Sequence, residues 1–172
     1  MSGGTVPTRD HTPTMTTRRS LLGLAVFGLA VLAASGIGGL GSQQAGEVYG
    51  QLQLPNWAPP QWLFSPVWLA LYVFIAISGW LVWRQAGWNG TKIALSLFAL
   101  QLVLNAAWSP LFFAAGWRGV AFVDIAALLV VLTALIIVFA RHSRIAAGLL
   151  VPYWAWVTFA AALNLSIWQL NT

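Results

Sequence analysis

Residues 55–72 read PNWAPPQWLFSPVWLALY, with four prolines and three tryptophans inside the first 14 positions. Pro55, Pro59, Pro60 and Pro66 lack a backbone N–H and hold φ near −65°. Each also pushes the residue before it toward extended backbone. Most of the segment therefore cannot be helix interior. Pro66 differs from the others: it opens a long apolar run, fits the first turn of a helix, and follows Ser65, a fair N-cap. A stiff aromatic loop thus feeds directly into a hydrophobic helix. Trp57, Trp62 and Trp68 each carry a large apolar face and one N–H, which suits a membrane interface or a ligand pocket. Two readings follow. The loop is either an interfacial aromatic belt stiffened by proline, or a lid over a cavity, formed by Pro55, Trp57, Pro59, Pro60 and Trp62.

The rest of the chain sets the medium. Its 172 residues are 59% hydrophobic and 6% charged, against about 25% charged in a soluble domain. This is the composition of an integral membrane protein, at a length that suits one small bundle. There is no cysteine, which removes a disulfide framework, a thiolate nucleophile and a thiolate metal site. The net charge of +5 comes from basic residues scattered at the ends of apolar runs, so it reports topology and not nucleic-acid binding.

Residues 1–19 are rich in Thr, Gly, Pro and Ser with no apolar period, as in a disordered tail. Arg18-Arg19 then precedes an uncharged run over 21–41. It has the look of a twin-arginine signal, but it is about the roughly 20 residues needed to span a bilayer, and a signal core is usually shorter. Ala30/Ala34, Ala34/Gly38 and Ser35/Gly39 recur four apart, as on a packed transmembrane helix. We read it as the first span. A long loop is expected over 42–64, with further spans over about 65–83, 92–113, 119–140 and 145–170. The expected fold is all-α: an integral membrane bundle of five transmembrane helices over 20–172, with a mild kink at Pro152.

Arg9, Arg18, Arg19, Arg84, Lys92, Arg141 and Arg144 fall on one side of such a bundle, and Arg118 and Glu47 on the other. The positive-inside rule then puts the N-terminus in the cytoplasm and the C-terminus and Trp/Pro loop outside, in a bacterial membrane. Helix direction alternates, so Trp68, Tyr72, Asn105, Trp108, Asp124 and Asn164 all fall in the half under that loop. Trp156, Ala160, Leu163 and Asn164 share one face of the last helix. Asp124 is the one acidic residue within a span, which makes it either a functional site or a hydrated or interhelical tie. Asn105 and Asn164 carry the same two readings.

Missing groups narrow the chemistry. No His lies in a span to ligate haem iron, and Lys92 sits at a helix end, unsuited to a Schiff base. There is no carboxylate pair and no Ser-His-Asp set. No metal and no cofactor are expected. The remaining chemistry is that of an apolar, Trp-lined cavity with a few amides, fit to hold a flat hydrophobic molecule.

Four stretches together resemble the TspO/MBR family, the tryptophan-rich sensory proteins related to the translocator protein (peripheral benzodiazepine receptor): LPNWAPPQWLFSPVWLALY (54–72), QLVLNAAWSPLFF (101–113), VAFVD (120–124) and VPYWAWVTFAAALNLSIWQLN (151–171). The resemblance implies a five-helix bundle, a homodimer, and a pocket under the first loop for porphyrins and benzodiazepine-site drugs. It places the ligand on Trp68, Tyr72, Asn105, Trp108, Asp124, Trp156, Ala160, Leu163 and Asn164. Some bacterial members are similar to light-dependent porphyrin-degrading proteins, and the tryptophans implicated there match Trp68 and Trp156, the only catalytic candidates. The animal sterol motif needs a Tyr and then a basic residue, where this chain has Leu163-Asn164-Leu165-Ser166-Ile167-Trp168-Gln169, so sterol transport is not expected. Three functions stay open: a porphyrin receptor or carrier in tetrapyrrole homeostasis or stress, a light-dependent protoporphyrin-degrading enzyme, and a regulatory membrane partner with no small ligand and no nucleic acid.

Overall fold

The computed structural model describes residues 16–172. The composition of residues 1–15, read above as a tail, lies outside the described residues. All the elements in the described part are helical: α1 (Thr17–Gly41), α2 (Ala45–Gln51), α3 (Phe64–Gly90), α4 (Lys92–Ser109), α5 (Arg118–His142) and α6 (Arg144–Leu170). Short turns of other pitch occur at Gln61–Leu63 and Pro110–Ala114. All of these helices except α2 are long and apolar enough to cross a membrane. Their outward faces are as apolar as their inward ones: Leu29 and Leu32 of α1, Ile93 of α4 and Val130 of α5 are all exposed. Water would not tolerate such a surface; hydrocarbon does.

The five long helices close a ring. α1 packs on α3 and α4, α4 on α5, α5 on α6, and α6 on α3. Sequence explains the close approaches. Gly23 of α1 leaves room for the Trp83 ring, which would lie 1.9 Å from a β-carbon there, and Gly79 of α3 does the same for Phe27 and Phe98. Gly41, at the end of α1, admits the Pro110 ring and backbone. Pro110 has no N–H for the α4 ladder, and the chain widens into a π-turn closed by Ala115 N–H to the Pro110 carbonyl at 2.9 Å.

Several expectations shift at the ends. The first span begins at Thr17, so Arg18 and Arg19 lie in its first turn and not in the tail. The second span continues past Arg84, and Gly87 breaks it with φ +61°, a backbone that favours glycine. The 42–64 loop is part helix: Ala45–Gln51 is α2, anchored by buried Tyr49. Seven residues with little periodicity give no sequence signal of their own. Pro152, where a mild kink was expected, lies inside α6.

Candidate ligand-binding site

At the end of the bundle that carries the loop, the ring encloses a cavity of about 330 Å³. Trp68 and Tyr72 of α3, Asn105 and Trp108 of α4, and Trp156 and Ala160 of α6 line it together. Helical spacing put each of these pairs on one face, and the alternating helix directions put Trp68, Tyr72, Asn105 and Trp108 in one half of the bundle. Trp68 stacks on Tyr72 with ring centres 5.3 Å apart and meets Tyr153 edge-on at 6.1 Å. α5 contributes Ile125 and Leu128, so that wall is aliphatic.

The other named residues lie apart from this cavity. Leu163 and Asn164 line a smaller adjoining void with Trp108, Phe112 and Ile167. Asn164 works as a tie: its Oδ1 accepts from Trp108 Nε1 at 3.0 Å and its Nδ2 donates to the Arg118 carbonyl at 2.9 Å. One side chain thus joins α4, α5 and α6. Asp124 lines neither space; it is half-buried and its Oδ2 has no hydrogen-bond partner among the described residues. Arg118, too, stays outside the main cavity.

The loop covers the site in a different manner from the expected lid. Pro55, Trp57, Pro59, Pro60 and Trp62 are not on the cavity wall. Trp62 is 71% exposed, as a belt residue would be. Trp57 packs edge-on against Phe159 at 5.7 Å, Phe159 is tilted against Trp156 at 5.4 Å, and Trp156 meets Phe64 edge-on at 5.8 Å. The prolines shape the loop from outside while α2 presents Ala45 and Tyr49 to the cavity. Tyr49 donates to the Pro59 carbonyl at 3.0 Å and meets Phe64 edge-on at 5.8 Å. Burial raises its hydroxyl pKa above the ordinary 10.0. Asn171 pins the same loop: its Oδ1 accepts from Gln53 N–H at 3.0 Å and its Nδ2 donates to the Gln53 carbonyl at 2.9 Å.

The sequence reading missed Tyr49, Gln61, Phe64 and Phe113, and the α1 contribution of Ser35, Gly38, Gly39 and Ser42. The four-residue spacing of small residues was the available signal for α1; it lets that helix close one side of the cavity. Gln61 and Ser65 are exposed and mark the mouth. The polar equipment is sparse. Ser35 and Ser42 spend their protons on the Leu32 and Gly38 carbonyls, while Trp156 Nε1 has no partner among the described residues. No three His, Asp or Glu side chains come together there to hold a metal ion. Such a site positions and shields an apolar molecule by shape and stacking.

The sequence profile of the TspO/MBR family matches residues 25–169, which hold the whole cavity. The chain belongs to the TspO/MBR family. It is 42% identical to the sheep translocator protein over 125 residues, 72% of this chain and 74% of that one. It is 37% identical to the tryptophan-rich protein TspO of Archaeoglobus fulgidus over 153 residues, 88% of this chain and 99% of the relative. The tryptophan-rich sensory protein of Cereibacter sphaeroides is 32% identical over 125 residues, covering 73% of this chain and 77% of its own. Within this TspO/MBR chain, α2 lies just before the Trp/Pro stretch, and its Ala45 and Tyr49 line the cavity.

Proposed function

We propose that this protein is a membrane receptor or carrier that holds flat apolar tetrapyrroles, such as protoporphyrin, in the cavity beneath α2. The observation that carries the reading is that Trp68 of α3 and Trp156 of α6 line one cavity whose remaining wall is mostly apolar. At about 330 Å³ the space sits at the lower end of the roughly 300–1,000 Å³ of small-molecule sites. A macrocycle therefore fills it and reaches the mouth, where Gln61 and Ser65 leave its carboxylates in water. The names translocator protein and sensory protein, borne by relatives, support carriage or sensing as the role.

Titration with protoporphyrin IX in the dark, followed by tryptophan quenching in detergent, tests this. Saturable micromolar binding that Trp68→Phe and Trp156→Phe both weaken is expected. Linear quenching indifferent to both substitutions would mean that porphyrin only partitions into the micelle. Illumination of the loaded protein then separates a receptor from a light-dependent porphyrin-degrading enzyme: a Soret band that decays no faster than with a Trp-free bundle leaves the receptor.

The proposed membrane is bacterial, with the cavity facing away from the cytoplasm. Arg18, Arg19, Arg84, Lys92, Arg141 and Arg144 lie at the opposite end from α2, and Arg118 alone shares the cavity's end. A homodimer is the proposed assembly, on the family resemblance, and light scattering of the detergent complex measures it.

A further inference from the structure

The inner wall of the cavity ends in a buried hydrogen-bond chain across three helices. Tyr72 Oη donates to Asn105 Oδ1 at 3.3 Å, Asn105 Nδ2 to Tyr153 Oη at 3.0 Å, and Tyr153 Oη to Gln101 Oε1 at 3.0 Å. Gln101 and Tyr153 are fully buried, whereas Tyr72 and Asn105 face the cavity. In this order Tyr72 has given its proton inward and shows a ligand only lone pairs. The order also leaves a defect at its far end, because Gln101 Nε2 is buried with no partner among the described residues.

Reversal moves that defect by turning over two side-chain amides and leaves the backbone and the rings in place. Turning over an amide exchanges its O and N at the same two positions, and a phenol O–H rotates freely. Gln101 Nε2 then donates to Tyr153, Tyr153 to Asn105 Oδ1, and Asn105 Nδ2 to Tyr72. The same three contacts survive, and the unpaired group on Gln101 becomes a carbonyl, which is tolerated more often than an orphaned N–H. The Tyr72 O–H is now free to donate into the cavity. Each order leaves one group on Gln101 wanting, an N–H in the first and a carbonyl in the second. Hydrogen bonds in such a chain polarise one another, and a contact at one end is felt at the other.

We propose that Gln101–Tyr153–Asn105–Tyr72 is a reversible relay that makes Tyr72 the specificity-determining polar contact of the cavity. In one order Tyr72 accepts from a ligand N–H or O–H; in the other it donates to a ligand carbonyl or ring nitrogen. The cavity thus takes flat apolar molecules bearing either kind of group at their inner edge. This rests on the reading that the cavity holds a flat apolar ligand. A chain that served only to tie α3, α4 and α6 together would be blind to ligand polarity.

Three fused tricycles of one shape provide the test on the full-length protein in detergent: carbazole (N–H donor), fluorenone (carbonyl acceptor) and fluorene (neither). Carbazole and fluorenone are each expected to bind at least about fivefold tighter than fluorene, the worth of one net hydrogen bond. Tyr72→Phe brings all three to a common affinity. Tyr153→Phe, which leaves the Tyr72–Asn105 pair in place, favours the order that spares an unpaired N–H on Asn105. It therefore keeps the fluorenone advantage and lowers that of carbazole. An advantage for one probe only means a chain fixed in one direction and overturns the reversal. Equal affinities for all three overturn the relay alone, since the cavity still binds. No saturable binding by any of them, with protoporphyrin also failing, overturns the relay and the cavity reading together.

Discussion

Two side chains hold the walls of the site from behind. Asn164 is buried and satisfied at both ends, by Trp108 Nε1 and the Arg118 carbonyl. Replacing it with leucine keeps the volume but strands the Trp108 indole N–H, at about 1–3 kcal/mol when buried unpaired, and removes the second bond to the Arg118 carbonyl, which keeps its place in the α5 ladder. Asn164→Leu is therefore expected to lower Tm in detergent by several degrees, and an unchanged Tm would show that water takes over both contacts. Tyr49 holds the loop. Tyr49→Phe retains the ring against Phe64 and removes the bond to the Pro59 carbonyl, a loss of about 1 kcal/mol near neutral pH. The phenol is ionised later in the folded chain than in the unfolded one, because burial raises its pKa above 10.0. Its contribution is fully present below pH 10 and is lost as the pH climbs past that value through the folded pKa. The Tm gap between wild type and Tyr49→Phe should be constant up to about pH 10 and close above it; a gap that persists there would detach the hydroxyl from the loop's stability.

At the scale of elements, α1 meets its neighbours through glycines whose roles differ. A β-carbon at Gly41 would lie 2.5 Å from the Pro110 backbone nitrogen, which cannot swing away as a side-chain tip can. A β-carbon at Gly36 meets nothing within 4 Å. Gly41→Ala should cost about 1–3 kcal/mol as an overpacked contact and disturb the π-turn that carries Phe112 and Phe113. Gly36→Ala should be neutral or slightly stabilising, since alanine is the better helix former. Paired unfolding curves check this, and equal effects would remove the Gly41–Pro110 contact as a determinant of the fold. The same contrast shows what sequence made legible. Runs of 20 or more apolar residues report their medium directly, so all five spans and the face shared by Trp68 and Tyr72 were readable. Prolines 55–66 announced a stiff loop before a helix. What the sequence hid depends on contacts made only after folding: Tyr49 is buried beneath the loop and anchors α2, and Pro110 packs against Gly41. Asp124 drew attention by its charge, yet its position on α5 turns it away from the cavity that Ile125, the next residue, helps to line.

Over the whole molecule, charge and cavity occupy opposite ends, and the proposed orientation rests on that asymmetry. Six basic residues gather where α1 begins, α3 meets α4, and α5 meets α6, while the cavity mouth opens beside the single Arg118 end. An excess of Lys and Arg in short connections retains them in the cytoplasm. The chain lacks cysteine, so a single introduced thiol is an unambiguous reporter. Trp62 is 71% exposed at the loop end, and Arg141 is exposed at the other. A membrane-impermeant maleimide added to intact bacterial cells should label Trp62→Cys and spare Arg141→Cys until the membrane is broken. The reverse pattern would turn the cavity to the cytoplasm, and a ligand taken up by the protein would then come from the cell's own interior instead of from outside the membrane.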